Sequence, residues 1–331
     1  MNRQKSSFGK FLLNNSTIIL IVIIAAAFAI FTEGFLQPSN LVNILSQSSI
    51  LAIVACGLCF IVAIGGIDLS LTFSYDLGAM VSVMLMSAGI PWFIALLLGI
   101  CAGILLGVVN GTLVVKAKIA IFIATLGMMY IGESVQKILT HGGQPVYLPG
   151  MDDAFQFMGR GNVLTIIGDG YRLDFRFSII LAAIVIVAVY LVLQRTNFGR
   201  KLTAIGSQKE AATLCGVPVA RYTFLAFIIC GGICAFGGMV NASTYTAYLP
   251  NSGDYYLMDA IGAVFVGCTL NRRGYVSVGG TVLGVIFFGM ISNGLNLLGI
   301  AFEWQSVARG VLIFLIIAMD AYKKASLLKS K

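Results

Sequence analysis

Charge is what this sequence has least of. Only 10% of its 331 residues are Asp, Glu, Lys or Arg, where ordinary soluble domains carry roughly 25%. That fraction cannot coat a soluble particle of 35.2 kDa, so most of the surface must face something other than water. Histidine occurs once, at His141. One imidazole cannot build a zinc site, and a Ser–His dyad would have to use a residue that lies between apolar runs. There is no G-x-x-x-x-G-K-[ST], so the chain does not bind ATP through a P-loop, and there is no H-E-x-x-H. No polar stretch is long enough for a soluble catalytic domain. Acidic residues are scarcer still, 13 against 21 Lys and Arg, for a net charge of +8. Such a balance suits nucleic acid or an anionic membrane surface, and the positions of the charges decide between them.

What is abundant is apolar sequence: 59% hydrophobic residues and a mean hydropathy of +0.96. A membrane span needs about 20 mostly apolar residues. Runs at 17–32, 47–64, 71–88, 92–115, 119–139, 177–193, 222–242, 258–270, 276–298 and 306–322 qualify. They predict an all-α polytopic membrane protein of about ten transmembrane helices, with eight to eleven compatible with the pattern. The weakest runs are 71–88, which carries Asp76, and 258–270, which is short. The first run follows Arg3, Lys5 and Lys10 like a signal peptide, but its length and the nine runs after it favour a retained helix.

Lysine and arginine set the orientation. With a cytoplasmic N-terminus and strict alternation, sixteen of the twenty-one cations fall on the cytoplasmic side, among them Lys116, Lys118, Arg195, Arg200, Lys201, Lys209, Arg221, Arg272, Arg273, Lys323, Lys324, Lys329 and Lys331. An odd number of spans would strand the basic tail on the wrong face, so both termini are expected in the cytoplasm. Topology thus accounts for the basic excess without nucleic acid. The chain reads as a single transmembrane domain over 1–331, with an external loop at 140–176 and a cytoplasmic loop at 194–221. The external loop holds Asp152, Asp153, Asp169 and Asp174 and suggests an irregular cap with a short helix near 151–158.

Glycine is frequent, with 38 copies. Gly99, Gly103, Gly107 and Gly111 form a ridge with a four-residue repeat, and Gly280 and Gly284 begin another. Small residues let membrane helices approach closely, and the same ridge would also serve as a sliding surface. Six of the seven cysteines lie in or beside apolar runs and read as inert core residues.

The inner loop contains a helix signal. Ser207 and Glu210 have the spacing of a capping box, Ala211, Ala212 and Leu214 continue a helix, Gly216 stands where it would end, and Pro218 forbids continuation. A short helix outside the membrane suits a groove on a partner protein or a resting place on lipid headgroups.

At this point the sequence resembles a known family. Glu210-Ala211-Ala212, three residues and then Gly216 are similar to the EAA-x-x-x-G loop of permease subunits in ATP-binding-cassette importers. Gly66-Ile67-Asp68-Leu69-Ser70, Phe122-Ile123-Ala124-Thr125-Leu126-Gly127, Asp259-Ala260-Ile261 with Gly267, and Asn293-Gly294-Leu295-Asn296-Leu297-Leu298-Gly299 resemble the ribose/galactose-type sugar permeases. The likeness runs from about residue 45 to 323. It departs after Gly267, where the sequence reads Cys268-Thr269-Leu270-Asn271-Arg272-Arg273-Gly274, and after Ser70, where Leu71-Thr72-Phe73-Ser74 replaces the usual V-G-S. The resemblance implies a permease subunit of an ATP-driven importer of a monosaccharide: two copies forming the pathway, a cytoplasmic ATPase docking on 207–215, and an external sugar-binding protein. It implies no cofactor and no enzymatic activity in this chain.

Polar residues inside apolar runs are costly, roughly 2.5–3.5 kcal/mol for a charge at the bilayer centre, and mark bundle interiors or water-filled paths. Asp68, Asp76, Glu133, Asp259 and Arg309 are such residues. Gly65-Gly66 suggests a break in which backbone lines a cavity, and Asp68 with Ser70 reads either as a cap for the next helix or as a sugar contact. Asp259 could cap its own span, and Arg309 could pair with one of the acids. A neutral sugar needs modest hydrogen bonds and stacking, which Asn110, Thr125, Asn293, Asn296 and the Phe122 ring offer; helix-to-helix hydrogen bonding is the alternative for each. The rival functional reading is an ion-coupled secondary transporter using Asp76 and Glu133 as coupling groups. A nucleoside or a furanone is the rival cargo.

Overall fold

A computed structural model describes residues 16–148, 150–168, 171–271 and 274–329. Arg3, Lys5, Lys10, Asp169, Arg272, Arg273 and Lys331, invoked above for topology or for the cap, lie outside them. The helices are α1 (Ser16–Phe31), α2 (Pro38–Ala63), α3 (Leu71–Ser87), α4 (Trp92–Val115), α5 (Ile121–Leu139), α6 (Asp153–Arg160), α7 (Phe177–Tyr190, continued by a π turn at Leu191–Arg195), α8 (Asn197–Ser207), α9 (Lys209–Leu214), α10 (Val219–Tyr245), α11 (Asp254–Leu270), α12 (Val278–Leu297) and α13 (Phe302–Lys329). Five of them are long and apolar enough to cross a membrane: α2, α4, α7 with its π turn, α10 and α12. The architecture is that of a mostly helical, polytopic membrane protein.

The all-α expectation needs one correction. Strands β1 (Val146–Tyr147) and β4 (Ala247–Tyr248) pair antiparallel, and β2 (Asn162–Gly168) pairs with β3 (Tyr171–Arg176) as a hairpin. The expected irregular cap is therefore partly β. Thr165, Ile166 and Ile167 supply β-branched residues before Gly168-Asp169-Gly170, and Tyr171 and Phe175 supply aromatic ones after it, a hairpin signal that the helical periodicity overshadowed. The short helix expected near 151–158 is α6, and the Asp152 carboxylate caps it by accepting from the Ala154 N–H at 2.8 Å.

Helix α2 starts nine residues before the apolar run at 47. Pro38 occupies its first turn, where a missing N–H costs nothing, and the polar residues Asn40, Asn43, Ser46 and Gln47 lie on its first half. With 26 residues it is about 39 Å long, longer than the roughly 30 Å of a bilayer's hydrocarbon. Its two ends identify the two ends of the molecule. Asn43 shares a polar recess with Arg160, Asn162, Asp174 and Arg176 of the cap. At the far end the Ala63 carbonyl lies against Gly206 of α8. Loops 140–176 and 194–221 are thus at opposite ends.

Both glycine ridges are packing surfaces. A Cβ on Gly103 would stand 2.5 Å from the Gly231 carbonyl of α10, and one on Gly284 would stand 2.5 Å from the Ala263 carbonyl of α11. Backbones at that separation exchange dispersion contacts unavailable to larger residues. Cys56, Cys59, Cys230 and Cys234 are buried as expected, whereas Cys101 and Cys215 are exposed.

Candidate functional site: a polar break, a cavity at the hairpin end and a projecting helix

Three features carry polar groups into or out of the bundle. The first is the break between α2 and α3. Gly65 turns the chain with φ +82, a left-handed conformation that glycine adopts without strain. The Asp68 Oδ1 then accepts from the Ser70 N–H at 2.8 Å and from its hydroxyl at 2.6 Å. Asn110 Nδ2 donates to the same Ser70 Oγ at 2.7 Å. Thr125 donates to the Ile121 carbonyl at 3.0 Å and lies 3.5 Å from the Ile67 carbonyl. Asp68, Ser70, Asn110 and Thr125 are all buried, and Cys230 Sγ of α10 is 3.8 Å from Asp68 Oδ2. Four of the seven pathway candidates therefore meet in one knot that shapes the entry to α3. The Asn110 Oδ1 in this knot is buried without a partner, a cost of about 1–3 kcal/mol.

The carboxylate of Asp76 does similar work one turn into α3: its Oδ1 accepts from Ser252 Oγ at 2.9 Å and from the Gly253 N–H at 3.1 Å, anchoring the loop that enters α11. Both short helices, α3 and α11, thus begin from irregular backbone tied down by an aspartate, which is how non-helical segments are tolerated at membrane depth. Glu133 is not an interior acid. It is partly exposed and pairs with Lys137 at 2.6 Å, one turn on.

The second feature is a cavity of about 580 Å³ at the hairpin end, large enough for a small organic ligand. Ser46, Ser48 and Leu51 of α2, Asn241, Thr244 and Tyr245 of α10, Tyr255, Tyr256 and Asp259 of α11, and Ser292 and Asn296 of α12 contribute to its wall. Tyr256 donates to Asn241 Oδ1 at 3.4 Å. Behind the wall Arg309 of α13 pairs with Asp259 at 3.3 Å, with both side chains buried, and stacks over the Tyr255 ring at 4.6 Å. It also donates to Gln305 Oε1 at 3.4 Å, and Gln305 donates to Asn296 Oδ1 at 2.8 Å. Asp259 therefore sits inside its helix, paired with Arg309, and does not cap it; α11 starts at Asp254, one turn before the expected boundary.

The remaining pathway candidates separate. Asn296 lines the cavity. Asn293 is buried in a reciprocal amide pair with Asn40, 2.9 Å each way, so the two asparagines do not act as one face. The Phe122 side chain is exposed on α5, and only its carbonyl meets the knot, 3.3 Å from the Thr125 hydroxyl. The wall residues Ser46, Ser48, Asn241, Tyr255 and Tyr256 escaped the sequence reading. Their signal was a polar run, Ser46-Gln47-Ser48-Ser49, ahead of a strongly apolar stretch, and a tyrosine pair just after Gly253-Asp254.

The third feature is α9. The predicted capping box does not form. Ser207 is the last residue of α8 and its hydroxyl returns to the Ala204 carbonyl at 3.0 Å, while Gln208 precedes α9 with no side-chain cap. An amphipathic helix, α8, unexpected from sequence, occupies the preceding residues and buries Leu202 and Ile205. The C-terminal expectation holds: Gly216 has φ +76, its N–H bonds the Thr213 carbonyl and that of Val217 bonds the Ala212 carbonyl, both at 3.0 Å. Ala212 is buried against the core, Glu210 and Ala211 are exposed, and Leu214 projects with 90% of its surface free.

Comparison with known proteins places this geometry. The family model described as branched-chain amino acid transport system / permease component matches residues 40–317. The ribose import permease protein RbsC of Haemophilus influenzae is 32% identical over 97% of this chain and 98% of its own, and RbsC of Bacillus subtilis is 33% identical over 93% and 91%. The galactose/methyl galactoside import permease protein MglC of Escherichia coli is 31% identical over 97% and 98%. No solved structure matches the chain. A bundle with five long apolar helices, buried aspartates that hold broken backbone, and a family match spanning nearly all of it leave one conclusion: the chain belongs to the permease-component family of these transport systems and is a multi-pass membrane permease, not an enzyme.

Proposed function

We propose that this chain is the membrane subunit of an ATP-driven importer that moves a monosaccharide inward by alternating access. It crosses the membrane ten times, through α1, α2, α3, α4, α5, α7, α10, α11, α12 and α13, with both termini in the cytoplasm. Two copies form the pathway, an ATPase docks from the cytoplasm, and a sugar-binding protein delivers cargo to the hairpin end. Full-length similarity to permeases named for ribose and galactose import supports the cargo class.

The observation that carries this reading is the form of α9. Ala212 fastens the helix to the bundle while Leu214, almost wholly exposed, stands out beside Glu210. An apolar knob held on a rigid, terminated helix fits a groove on a partner and would transmit a push to the bundle. Ser207, Glu210, Ala211, Ala212, Leu214 and Gly216 make up this docking element, with Ser207 serving as the end of α8. Asp68, Ser70, Asn110 and Thr125 act in the pathway through the shape of the break, Asn293 by fastening α12 to α2, and Asn296 by direct exposure to the cavity. Phe122 lies on the α5 face available to a second copy.

Changing Leu214 to Glu, or Glu210 to Lys, is expected to leave the protein in the membrane and ATP hydrolysis measurable while abolishing sugar uptake. Normal uptake in both variants would remove α9 as the docking element.

A further inference from the structure

The loop at 194–221 holds five cations, Arg195, Arg200, Lys201, Lys209 and Arg221, against one acid, Glu210. Among the described residues none of the five is ion-paired; the three ion pairs lie elsewhere. Two of the cations rest on tyrosines instead. Arg195 donates to the Tyr190 hydroxyl at 3.0 Å and lies 5.6 Å from the centre of its ring. Lys201 Nζ is 5.2 Å from the centre of the Tyr222 ring. A ring face steadies a cation but consumes few of the five N–H donors of Arg or the three of Lys, so donors remain for an anion.

Depth selects the anion. Ile184, Val187 and Leu191 of α7 are exposed at spacings of three and four, one apolar stripe along the helix that suits acyl chains. Arg195 follows four residues on, at the end of the π turn, so a cation ends the stripe. Helix α8 is held at the same level. Gly199 packs on the Leu193 carbonyl, and Gly206 on the Ala63 carbonyl at the end of α2. The Phe198 ring lies between Phe60 of α2 and Tyr222 of α10, with centroids at 6.4 and 5.4 Å. Helix α8 buries Gly199, Leu202 and Ile205 against the bundle and leaves Arg200 exposed and Lys201 half-buried. Tyrosines and long cations around an amphipathic helix at the ends of apolar helices are the composition of a membrane–water boundary. Helix α9 lacks it: its one acid offsets its one cation, and its projecting side chain is Leu214.

We infer that the end of α7 and the first turn of α8 form a binding site for an anionic phospholipid, with Arg195, Arg200 and Lys201 donating to its phosphate and the α7 stripe receiving an acyl chain. The site needs only a membrane permease and is independent of the cargo. It divides the loop between two occupants: lipid on α8, and the ATPase on α9 beyond it. Charge-assisted bonds to phosphate are stronger than neutral ones, and an acidic protein surface would leave the apolar stripe beside Arg195 uncovered.

The test is native mass spectrometry of the full chain in mild detergent, without ATPase, titrated with palmitoyl-oleoyl phosphatidylglycerol or with the phosphatidylcholine of the same chains. The wild type is expected to prefer phosphatidylglycerol by about fivefold for each cation engaged. Arg195→Gln with Lys201→Gln is expected to weaken phosphatidylglycerol binding roughly 25-fold and to leave phosphatidylcholine binding unchanged, which also reports that the variant is folded. Arg195→Lys with Lys201→Arg, which keeps the charges, is expected to bind as the wild type does. Lys137→Gln with Arg160→Gln, exposed cations at the hairpin end, is expected to change nothing. Equal binding of the two lipids by the wild type, or wild-type phosphatidylglycerol binding in the glutamine pair, would overturn the site. Displacement of the lipid by an equal concentration of inorganic phosphate would also overturn it, as the mark of a free-anion site. Unchanged lipid binding in the glutamine pair together with lost retention of the ATPase would give the surface to that partner instead.

Discussion

At the scale of the residue, this protein ties down the charges it buries. Arg309 and Asp259 are buried together, and removing one partner of such a pair costs about 3–5 kcal/mol because the other is left uncompensated. Arg309→Ala is therefore expected to lower the thermal unfolding temperature in detergent sharply, and Arg309→Gln with Asp259→Asn to recover most of the loss; equal losses in the two would contradict the pairing. Asp174 in the hairpin behaves differently. The Thr165 hydroxyl, 2.8 Å away, and Arg172 hold its carboxyl below the ordinary 3.8. A lowered value means that the contribution is complete above pH 3.8 and is lost as pH falls through the folded value. A spin label at Val163 is expected to gain mobility only below pH 3.8; a transition near neutrality would contradict it. Asp68 was legible as a break residue because Gly65-Gly66 precedes it. Arg309 was legible as a partner for an acid, but which acid was not: Asp259 is 50 residues away in the chain, and that distance closes only when α11 packs on α13.

At the scale of the element, periodicity located helices well and their ends less well. The glycine ridges were readable because a four-residue repeat lies along one face of a helix, and Gly103→Leu is expected to cost about 1–3 kcal/mol or more by overpacking against α10, seen as reduced thermal stability. Helix α2 was truncated in the reading because its polar first half has the composition of a loop. The capping box failed for a related reason. Ser207-x-x-Glu210 has the right spacing, but α8 runs through Ser207, so the serine's backbone is already helical and its hydroxyl turns back on Ala204 rather than forward. Ser207→Ala is accordingly expected to leave the unfolding temperature unchanged, whereas loss of a true cap costs about 0.5–2 kcal/mol. Gly216→Val, at φ +76, is expected to disorder the end of α9 and uncouple hydrolysis from uptake.

At the scale of the whole molecule, the scarcity of charge that marked the sequence becomes a design for motion. A bundle with close glycine contacts, two helices entered through irregular backbone and a cavity lined with hydroxyls at one end is suited to two arrangements, and a driven equilibrium needs an agent with different affinity for each. The permease family was legible from motifs strung along the chain. The cavity was not, because Ser48, Asn241, Tyr255 and Asn296 come from four helices and only tertiary packing unites them. Single cysteines within 140–176 and within 195–221 are expected to label from opposite faces of the membrane, as the two ends of α2 require. The most direct test of the account is uptake of labelled D-ribose or D-galactose into proteoliposomes holding this chain, its ATPase and its binding protein. Uptake that requires ATP and is indifferent to a proton or sodium gradient is the predicted result; gradient-driven uptake by the chain without an ATPase would contradict it.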